Sequence, residues 1–309
     1  MKATAAAHAN IALVKYWGKR DDALLLPEAG SLSVALDKLR TTTTVELGDF
    51  ALDTLTLDSR EEDPSRARAL LDAAGIRQRA RIVSRNEFPT AAGLASSASG
   101  FAALAVAACA AAGVRKTAEE LSALARLGSG SAARSVPGGW AVWEDESARQ
   151  VFPPSHWDLR FCIAVCSSGP KQVGSRDGMR ATRETSPYHA AWIAQCRRDL
   201  PEALRLLAAR DLSGLGALAE RNALRMHADA LAADPPLLYW QPPTVACLHA
   251  LGELRAEGIG AWATIDAGPH VVAICASKDA DRVGTRLRAI PGVADVLLCA
   301  PAGRARLLP

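Results

Sequence analysis

Residues 88–99 constrain the fold most, because a turn of small residues runs there directly into an alanine-rich apolar stretch. Glycine and alanine let a backbone approach a bulky anion, and the first turn of the following helix presents unpaired N–H groups with a positive dipole end. Ser96 and Ser97 add hydroxyls suited to phosphate oxygens or Mg²⁺. No lysine follows at P-loop spacing, which argues against a P-loop nucleotide hydrolase. Taken alone, these residues fit either a phosphate-binding loop or a helix start chosen for close packing.

The size and charge of the chain limit the classes of protein to which it can belong. Its 309 residues exceed the usual size of one core, so two domains sharing a cleft are expected. The net charge is only +3 and the arginines are scattered, which argues against a dedicated nucleic-acid binder but allows a basic pocket for a small anion. The stretch 90–114 is long enough to span a membrane but too weakly apolar. We expect neither a nucleic-acid nor a membrane partner.

Cysteine and histidine usage bears on the compartment and on metal binding. The seven cysteines are dispersed and odd in number, and no secretory leader is evident, so we expect reduced thiols and a cytoplasmic protein. The six histidines do not fall at metal-ligand spacings with the cysteines. No structural zinc site is therefore predicted.

Hydrophobic periodicity predicts an α+β chain with a mixed first half. Strands are predicted at 9–14, 41–47, 52–57, 79–84, 139–143 and 161–166, and helices at 64–74, 100–112 and 118–127. Residues 187–232 are predicted to be largely helical, followed by strands at 261–265, 271–275 and 294–298 and a helix at 279–288. We divide the chain into an N-terminal domain, 1–180, and a C-terminal domain, 181–309.

Two lysines flank an aromatic turn near the N-terminus. Gly18 and the aromatic pair Tyr16 and Trp17 lie between Lys15 and Lys19, which favours a strand that ends in a turn. Such a turn brings two ammonium groups near one anionic ligand. The alternative is a pair of solvated surface lysines.

Arg134 and Asp266 lie in similarly irregular surroundings. Arg134 follows a glycine–serine loop and precedes a proline–glycine turn, and its planar guanidinium suits a carboxylate held by two parallel hydrogen bonds. Asp266 follows a strand-like segment and precedes a turn, so its carboxylate can face a cleft. An ion pair within the protein is the alternative for Arg134, and a turn-forming role is the alternative for Asp266.

Several segments together resemble one family, the mevalonate diphosphate decarboxylases of the GHMP kinase superfamily. The resemblance extends from residue 9 to about residue 274. Its segments are 10–19, 88–99, 128–135 and 266–269, with agreement also at 175–179, 222–227 and 235–236. It implies a two-domain GHMP kinase-type α+β fold, with a ribosomal protein S5 domain 2-like N-terminal half, a ferredoxin-like C-terminal half and the active site in the cleft between them.

The resemblance also implies roles for single residues. Asp266, Lys15 and Arg134 are implied to be catalytic: Asp266 faces the tertiary hydroxyl of the substrate as general base or orienting group, Lys15 lies close to that hydroxyl, and Arg134 holds the carboxylate that leaves as CO₂. The implied substrate-binding residues are Tyr16, Lys19, Ser129, Ser131, Arg134, Ser175 and Arg176. The implied ATP-binding residues are Pro89, Ala92, Gly93, Leu94, Ala95, Ser96, Ser97 and Lys171, with Mg²⁺ at Ser96 and Ser97. Asn222 and His227 also match family positions.

The implied reaction is the ATP-dependent conversion of mevalonate 5-diphosphate to isopentenyl diphosphate, by a homodimer. Two departures from the common family pattern stand out: Glu28, Ala29 and Gly30 replace a segment that carries an asparagine, and His270 replaces an asparagine. The departures leave open a preference for mevalonate 5-phosphate or another 3-hydroxy acid, by a decarboxylase or a plain kinase. A catalytically silent protein that binds a phosphorylated metabolite is a further alternative.

Overall fold

The structure, a computed structural model, describes residues 1–88, 96–166, 169 and 173–309. Its strands are β1 (Lys2–Val14), β2 (Lys19–Asp21), β3 (Leu26–Pro27), β4 (Ser31–Gly48), β5 (Thr54–Leu57), β6 (Arg60–Glu62), β7 (Arg79–Asn86), β8 (Trp140–Trp143), β9 (Ala148–Phe152), β10 (Leu159–Val165), β11 (Ala261–Thr264), β12 (Val271–Ala276), β13 (Asp295–Cys299) and β14 (Arg306–Leu308). Its helices are α1 (Ser65–Ala73), α2 (Ser96–Ala111), α3 (Ala118–Gly128), α4 (Ala132–Ser135), α5 (Ser175–Thr185), α6 (His189–Ala209), α7 (Leu212–Leu231), α8 (Pro242–Ala256) and α9 (Ala280–Arg288), with 3₁₀ turns at Pro154–His156 and Ser277–Asp279.

The first sheet is built around the long strands β1 and β4. Its order is β14-β1-β4-β7-β5-β6, and β8 pairs with the first part of β4 and with β9. Alternate residues of β1 and β4, such as Ala5, Ala7 and Val45, pack with the alanines of α2 in one buried cluster. Small side chains on both partners let this helix lie close to the sheet. The start of α2 is thereby fixed against the sheet.

The second sheet has the order β11-β12-β10-β13, and all its pairings are antiparallel. Strand β10 alternates between two cores: Phe161 and Ile163 pack with α6 and α7, whereas Cys162 and Ala164 pack with α8 and α9. The first of these cores also contains residues of β1, β4 and β8, so it joins the two sheets. The Trp140 and Phe161 rings, 6.1 Å apart, meet across this junction.

The predicted strands and helices are found in the structure, but several elements were missed. β1 and β4 begin earlier than predicted, at Lys2 and Ser31, because their alanine and serine residues carry little strand signal. Helix α8 was missed because it begins with two prolines, which in a sequence usually indicate the end of a helix. The first turn of a helix accepts proline. The predicted strand 161–166 is β10 and belongs to the second sheet. The domain limits 1–180 and 181–309 stay a prediction.

Helix length and hydropathy bear on membrane insertion. Among the described helices, none combines the length and the apolar character that crossing a lipid bilayer requires.

Phe161 tests the contribution of the shared core to stability. Its side chain is fully buried, so we expect Phe161→Ala to lower the free energy of unfolding by about 3–5 kcal/mol. Val83 on β7 is 42% exposed, so Val83→Ala is expected to change the free energy of unfolding by about 0.5 kcal/mol or less. Urea denaturation of both variants measures the difference. Equal losses in the two variants would contradict the shared core.

Candidate active site

A cavity of about 380 Å³ lies between the end of β1, the starts of α2 and α5, and the turn after β11. Five of its lining side chains are cationic, whereas two are carboxylates, so the cavity favours an anionic ligand. The cations are Lys15, Lys19, Arg66, Arg134 and Arg176, and the carboxylates are Asp177 and Asp266. Trp17, Leu25, Met179, Met226 and Ala267 form its apolar wall.

Lys15 and Asp266, which are 251 residues apart, meet at the base of the cavity. Lys15 Nζ donates to Asp266 Oδ1 at 2.5 Å and to the carbonyl of Ala12 at 2.8 Å. The lysine side chain is 1% exposed and the aspartate side chain 34% exposed, so the carboxylate still opens to the cavity. Burial lowers the pKa of Lys15, and Asp266 opposes that shift. The pair presents an oriented carboxylate that can accept a proton from a bound group.

The main chain at both ends of this pair is held by side chains. The N–H of Lys15 donates to Asn222 Oδ1 at 2.8 Å, and the hydroxyl of Thr264 donates to the carbonyl of Ala12 at 2.8 Å. His227 Nε2 lies 3.2 Å from the carbonyl oxygen of Asp266. Asn222 and His227, which were predicted only as family matches, therefore contact the main chain of the two paired residues.

Arg134 lies buried on the short helix α4 beside the pair. Its Nε donates to Asn10 Oδ1 at 3.1 Å and its Nη1 to Ser31 Oγ at 2.5 Å. Burial lowers the pKa of Arg134 to about 10, so the guanidinium keeps its charge at neutral pH. A guanidinium has five N–H donors, so these two bonds leave others for a carboxylate ligand. The two hydrogen bonds fix the orientation of Arg134, and both of its partners are neutral side chains.

Three serine hydroxyls lie in a row along one wall. Ser97 Oγ is 3.2 Å from Ser129 Oγ, which is 3.3 Å from Ser131 Oγ. A Cβ added at Gly130 would lie 2.8 Å from the Tyr16 hydroxyl, so glycine allows the loop to pass close to the tyrosine. This row presents polar oxygens from α2 and from the loop after α3.

The oxygens of this wall bear on metal binding. Serine and aspartate oxygens are the hard ligands that Mg²⁺ prefers. Within the described residues no group of three or more histidine, cysteine, aspartate or glutamate side chains forms a metal cage. Mg²⁺ usually keeps waters and substrate phosphates as ligands, so a few such oxygens suit it. Ser97 lines the cavity, whereas Ser96, in the first turn of α2, is not among its described lining residues.

The far end of the cavity is aromatic and basic. The Tyr16 ring packs 4.7 Å from that of Trp143, and burial raises the pKa of Tyr16, so its phenol stays protonated. Lys19 Nζ pairs with Asp22 at 2.9 Å. Ser175 also lines this end.

Two arginines at this end share one carbonyl oxygen. Arg66 Nε and Arg176 Nη2 donate to the Gly128 carbonyl at 3.0 Å and 2.9 Å. Burial, with Arg176 as the second cause, lowers the pKa of Arg66 to about 10. Arg66 was missed because it lies in the predicted helix 64–74 with no local motif around it.

Some predicted positions lie away from the cavity or outside the described residues. His270 Nδ1 accepts a hydrogen bond from the N–H of Cys166 at 3.1 Å. Neither His270 nor Ala29 or Gly30 is among the described residues that line the cavity. The predicted ATP-binding residues that lie outside the described part of the chain are Pro89, Ala92, Gly93, Leu94, Ala95 and Lys171.

Comparisons with known proteins cover nearly the whole chain. The profile of the diphosphomevalonate decarboxylase-like N-terminal domain matches residues 7–151, and that of the mevalonate 5-diphosphate decarboxylase C-terminal domain matches residues 161–297. The diphosphomevalonate decarboxylase of Homo sapiens is 39% identical over 306 residues, which cover 87% of this chain and 75% of the human protein. That of Aspergillus fumigatus is 36% identical, over 94% of this chain and 81% of the relative.

Solved structures agree with the sequence comparisons. Mevalonate diphosphate decarboxylase from Staphylococcus aureus matches with a TM-score of 0.94 and 35% identity, over 100% of this chain and 98% of that one. A structure of MDDEF in complex with MVAPP, AMPPCP and magnesium matches with a TM-score of 0.93 and 35% identity, over 100% and 99% of the two chains.

His227 gives a test of the charge arrangement at the base of the site. Burial, followed by the nearby Lys15 cation, lowers the pKa of His227 from 6.5 to about 4. We expect NMR titration to show this pKa, and Lys15→Met to raise it only part of the way to 6.5. Because the unfolded histidine binds a proton more readily, this group removes stability as the pH falls from 6.5 towards 4.

The control for this titration is Lys116→Met, which removes a surface lysine paired with Glu120. It is expected to leave the titration of His227 unchanged. An ordinary pKa of His227 in the wild-type protein would contradict the described burial of its ring.

Proposed function

The chain belongs to the mevalonate diphosphate decarboxylase family, and we propose that the cavity holding Lys15, Arg134 and Asp266 carries out the family's ATP-dependent decarboxylation of mevalonate 5-diphosphate. The products are isopentenyl diphosphate, ADP, phosphate and CO₂. Membership confirms the predicted family and its two-domain α+β fold. The observation that carries the site assignment is the 2.5 Å contact between the buried Lys15 ammonium and the half-open Asp266 carboxylate.

The first stage is phosphoryl transfer from ATP to the tertiary hydroxyl at carbon 3 of the substrate. Asp266 accepts the hydroxyl proton or orients the hydroxyl towards the terminal phosphorus, and Lys15 fixes the carboxylate for that task. The transition state of such a transfer is loose, so positioning and neutralisation of charge supply most of the rate. This stage converts a poor leaving group, hydroxide, into phosphate.

The second stage breaks two bonds of the phosphorylated intermediate. Phosphate leaves carbon 3 with the C–O electron pair, and positive charge develops on that carbon. The C–C bond to the carboxylate then supplies its electron pair to form the alkene, and CO₂ departs. Arg134, held by Asn10 and Ser31, keeps that carboxylate aligned through its remaining N–H groups. Because the guanidinium is buried, its interaction with the carboxylate is weakly screened.

The phosphate groups are assigned to the basic and hydroxyl-lined parts of the cavity. We assign the diphosphate of the substrate to Tyr16 and Lys19, and phosphate oxygens to Ser129 and Ser131. Ser175 and Arg176 complete the substrate-binding set. ATP is assigned to the start of α2, with the loop before it and Lys171 as further ligands. MDDEF binds MVAPP, AMPPCP and magnesium, which supports the same classes of ligand here.

A magnesium ion completes the proposed assembly. Ser96 and Ser97 are the proposed protein ligands, and the hydroxyl row from Ser97 to Ser131 fits the ion's preference for oxygen. When bound with ATP, Mg²⁺ neutralises charge that develops on the transferred phosphoryl group.

The proposal extends to the assembly and the compartment. We propose a homodimer, which the family resemblance supports, and a cytoplasmic location, which the dispersed cysteines support. Sedimentation equilibrium of the purified protein measures the assembly state, and fractionation of cells measures the location.

The reaction itself is tested by release of ADP and CO₂ from MgATP with mevalonate 5-diphosphate, mevalonate 5-phosphate or mevalonate. We expect the diphosphate to be the preferred substrate and to give ADP and CO₂ in equal amounts, because Glu28, Ala29, Gly30 and His270 are not among the described residues that line the cavity. Release mainly from the monophosphate would instead establish the alternative decarboxylase. ADP without CO₂ would indicate a kinase, and neither product a binding protein.

The role of Asp266 is tested by Asp266→Asn in the same assay. We expect both ADP and CO₂ release to fall by about 10²–10⁴-fold, the range for a positioned acid–base group. Asp145→Asn, which changes an exposed aspartate paired with Arg20, is the matched control and is expected to keep wild-type rates. Thermal unfolding of both variants checks that they fold. Wild-type turnover by folded Asp266→Asn would rule out this assignment.

A further inference from the structure

The 15–19 turn belongs to the first half of the chain, but side chains of the second half hold it. Three buried or half-buried hydrogen bonds reach its main chain from three successive helices, one each from α5, α6 and α7. The bonds are Arg183 Nη1 to the Lys19 carbonyl at 2.8 Å, Trp192 Nε1 to the Trp17 carbonyl at 2.8 Å, and the Lys15 N–H to Asn222 Oδ1 at 2.8 Å. The position of the turn therefore depends on these helices.

A buried histidine lies against the middle of the same turn, between two carboxylates. His189 Nδ1 is 2.8 Å from Asp229 Oδ2, and His189 Nε2 is 3.2 Å from Glu28 Oε2. The side chains of His189 and Asp229 are 8% and 1% exposed, whereas that of Glu28 is 28% exposed. Carboxylates accept at both ring nitrogens only when both nitrogens carry protons. The geometry therefore suits an imidazolium.

Gly18 connects this ion cluster to the turn. Its φ is +134°, and an added Cβ would lie 3.1 Å from Glu28 Oε2 and 3.2 Å from the His189 ring. The Gly18 carbonyl also accepts a hydrogen bond from the N–H of Glu28 at 3.2 Å. The cluster thus packs directly on the backbone between Trp17 and Lys19.

Charge and burial act in opposite directions on His189. Burial alone lowers its pKa, but Asp229 on α7 and Glu28 on the segment after β3, the charged groups that face its ring, raise it above 6.5. A buried Asp229 without a cation would carry a large desolvation cost. Protonated His189 therefore stabilises the cluster in the folded state.

We propose that His189, as an imidazolium between Glu28 and Asp229, is a positioning residue that holds the 15–19 turn against the substrate. The inference rests on the proposed function in one respect, the assignment of Tyr16 and Lys19 to the diphosphate. Because the folded pKa of His189 is raised, its contribution is complete below 6.5 and is lost as the pH rises through the folded value. The turn should therefore loosen on the alkaline side.

Hydrogen–deuterium exchange of the peptide that contains the turn tests this without relying on turnover. Rates corrected for intrinsic exchange are compared at the two ends of a pH series that begins at about pH 6, below the raised pKa of His189, and ends at about pH 9. Wild-type protein is expected to exchange faster at the higher pH, and His189→Gln to exchange equally fast at both. His156→Gln changes a histidine bonded to the Leu207 carbonyl instead and is expected to behave as wild type. If His189→Gln exchanged as slowly as the wild-type protein at about pH 6, the inference would be overturned.

Kinetics provide the second readout. His189→Gln is expected to raise KM for mevalonate 5-diphosphate by about tenfold, the equivalent of a lost charge-assisted hydrogen bond, and to leave kcat within about twofold. Should His189→Gln fail to fold, Glu28→Gln, at the more exposed end of the cluster, should show the same changes to a smaller extent. If the wild-type protein is active and His189→Gln leaves KM unchanged, this inference is overturned and the proposed function stands. If the wild-type protein is inactive, the proposed function is overturned, and the exchange measurement alone tests the role of His189.

Discussion

The contact between Lys15 and Asp266 is the interaction on which the rest of the structure depends. A lysine side chain that is 1% exposed keeps its charge only if a carboxylate meets it, and that carboxylate comes from the other half of the chain. The two strand ends that supply the pair are aligned because both sheets share one core around Trp140 and Phe161. Packing of apolar side chains some distance away therefore determines the geometry of the charged pair.

The three arginines of the cavity are held by neutral acceptors, and this keeps their charge available to a ligand. Arg66 and Arg176 donate to the Gly128 carbonyl, and Arg134 donates to an amide and a hydroxyl. Carboxylate partners would have cancelled the field that attracts a diphosphate and ATP. The cost is desolvation, which lowers the pKa values of Arg66 and Arg134 to about 10, and at Arg66 the neighbouring Arg176 adds to the shift. Attraction between these cations and a bound polyanion offsets that cost.

The sequence predicted those parts of the site that short segments carry. Lys15, Arg134 and Asp266 lie in turns with distinctive neighbours, and the structure brings them together. Arg66 carries no such local signal, since an arginine in an ordinary amphipathic helix resembles any solvated one. The contact of Asn10 with Arg134 joins residues 124 apart, and no periodicity encodes it. In the fold, β1 and β4 were predicted too short because small residues form strands here through packing against α2 rather than through propensity.

Glu28 shows how a departure from a family pattern acquires a physical reason from the structure. In the sequence, Glu28 is only part of a segment that lacks the asparagine of the family pattern. In space its carboxylate meets His189, which in turn satisfies Asp229, a carboxylate with almost no access to water. The buried charges of His189 and Asp229 stabilise each other, and the more exposed Glu28 accepts at the second ring nitrogen, so the cluster acts as a unit. Because Gly18 permits that unit to touch the backbone of the turn, a charge network outside the cavity reaches the residues that line it. On the proposed role of His189, substrate affinity in this chain is therefore set partly by α6 and α7, which supply none of the proposed substrate ligands.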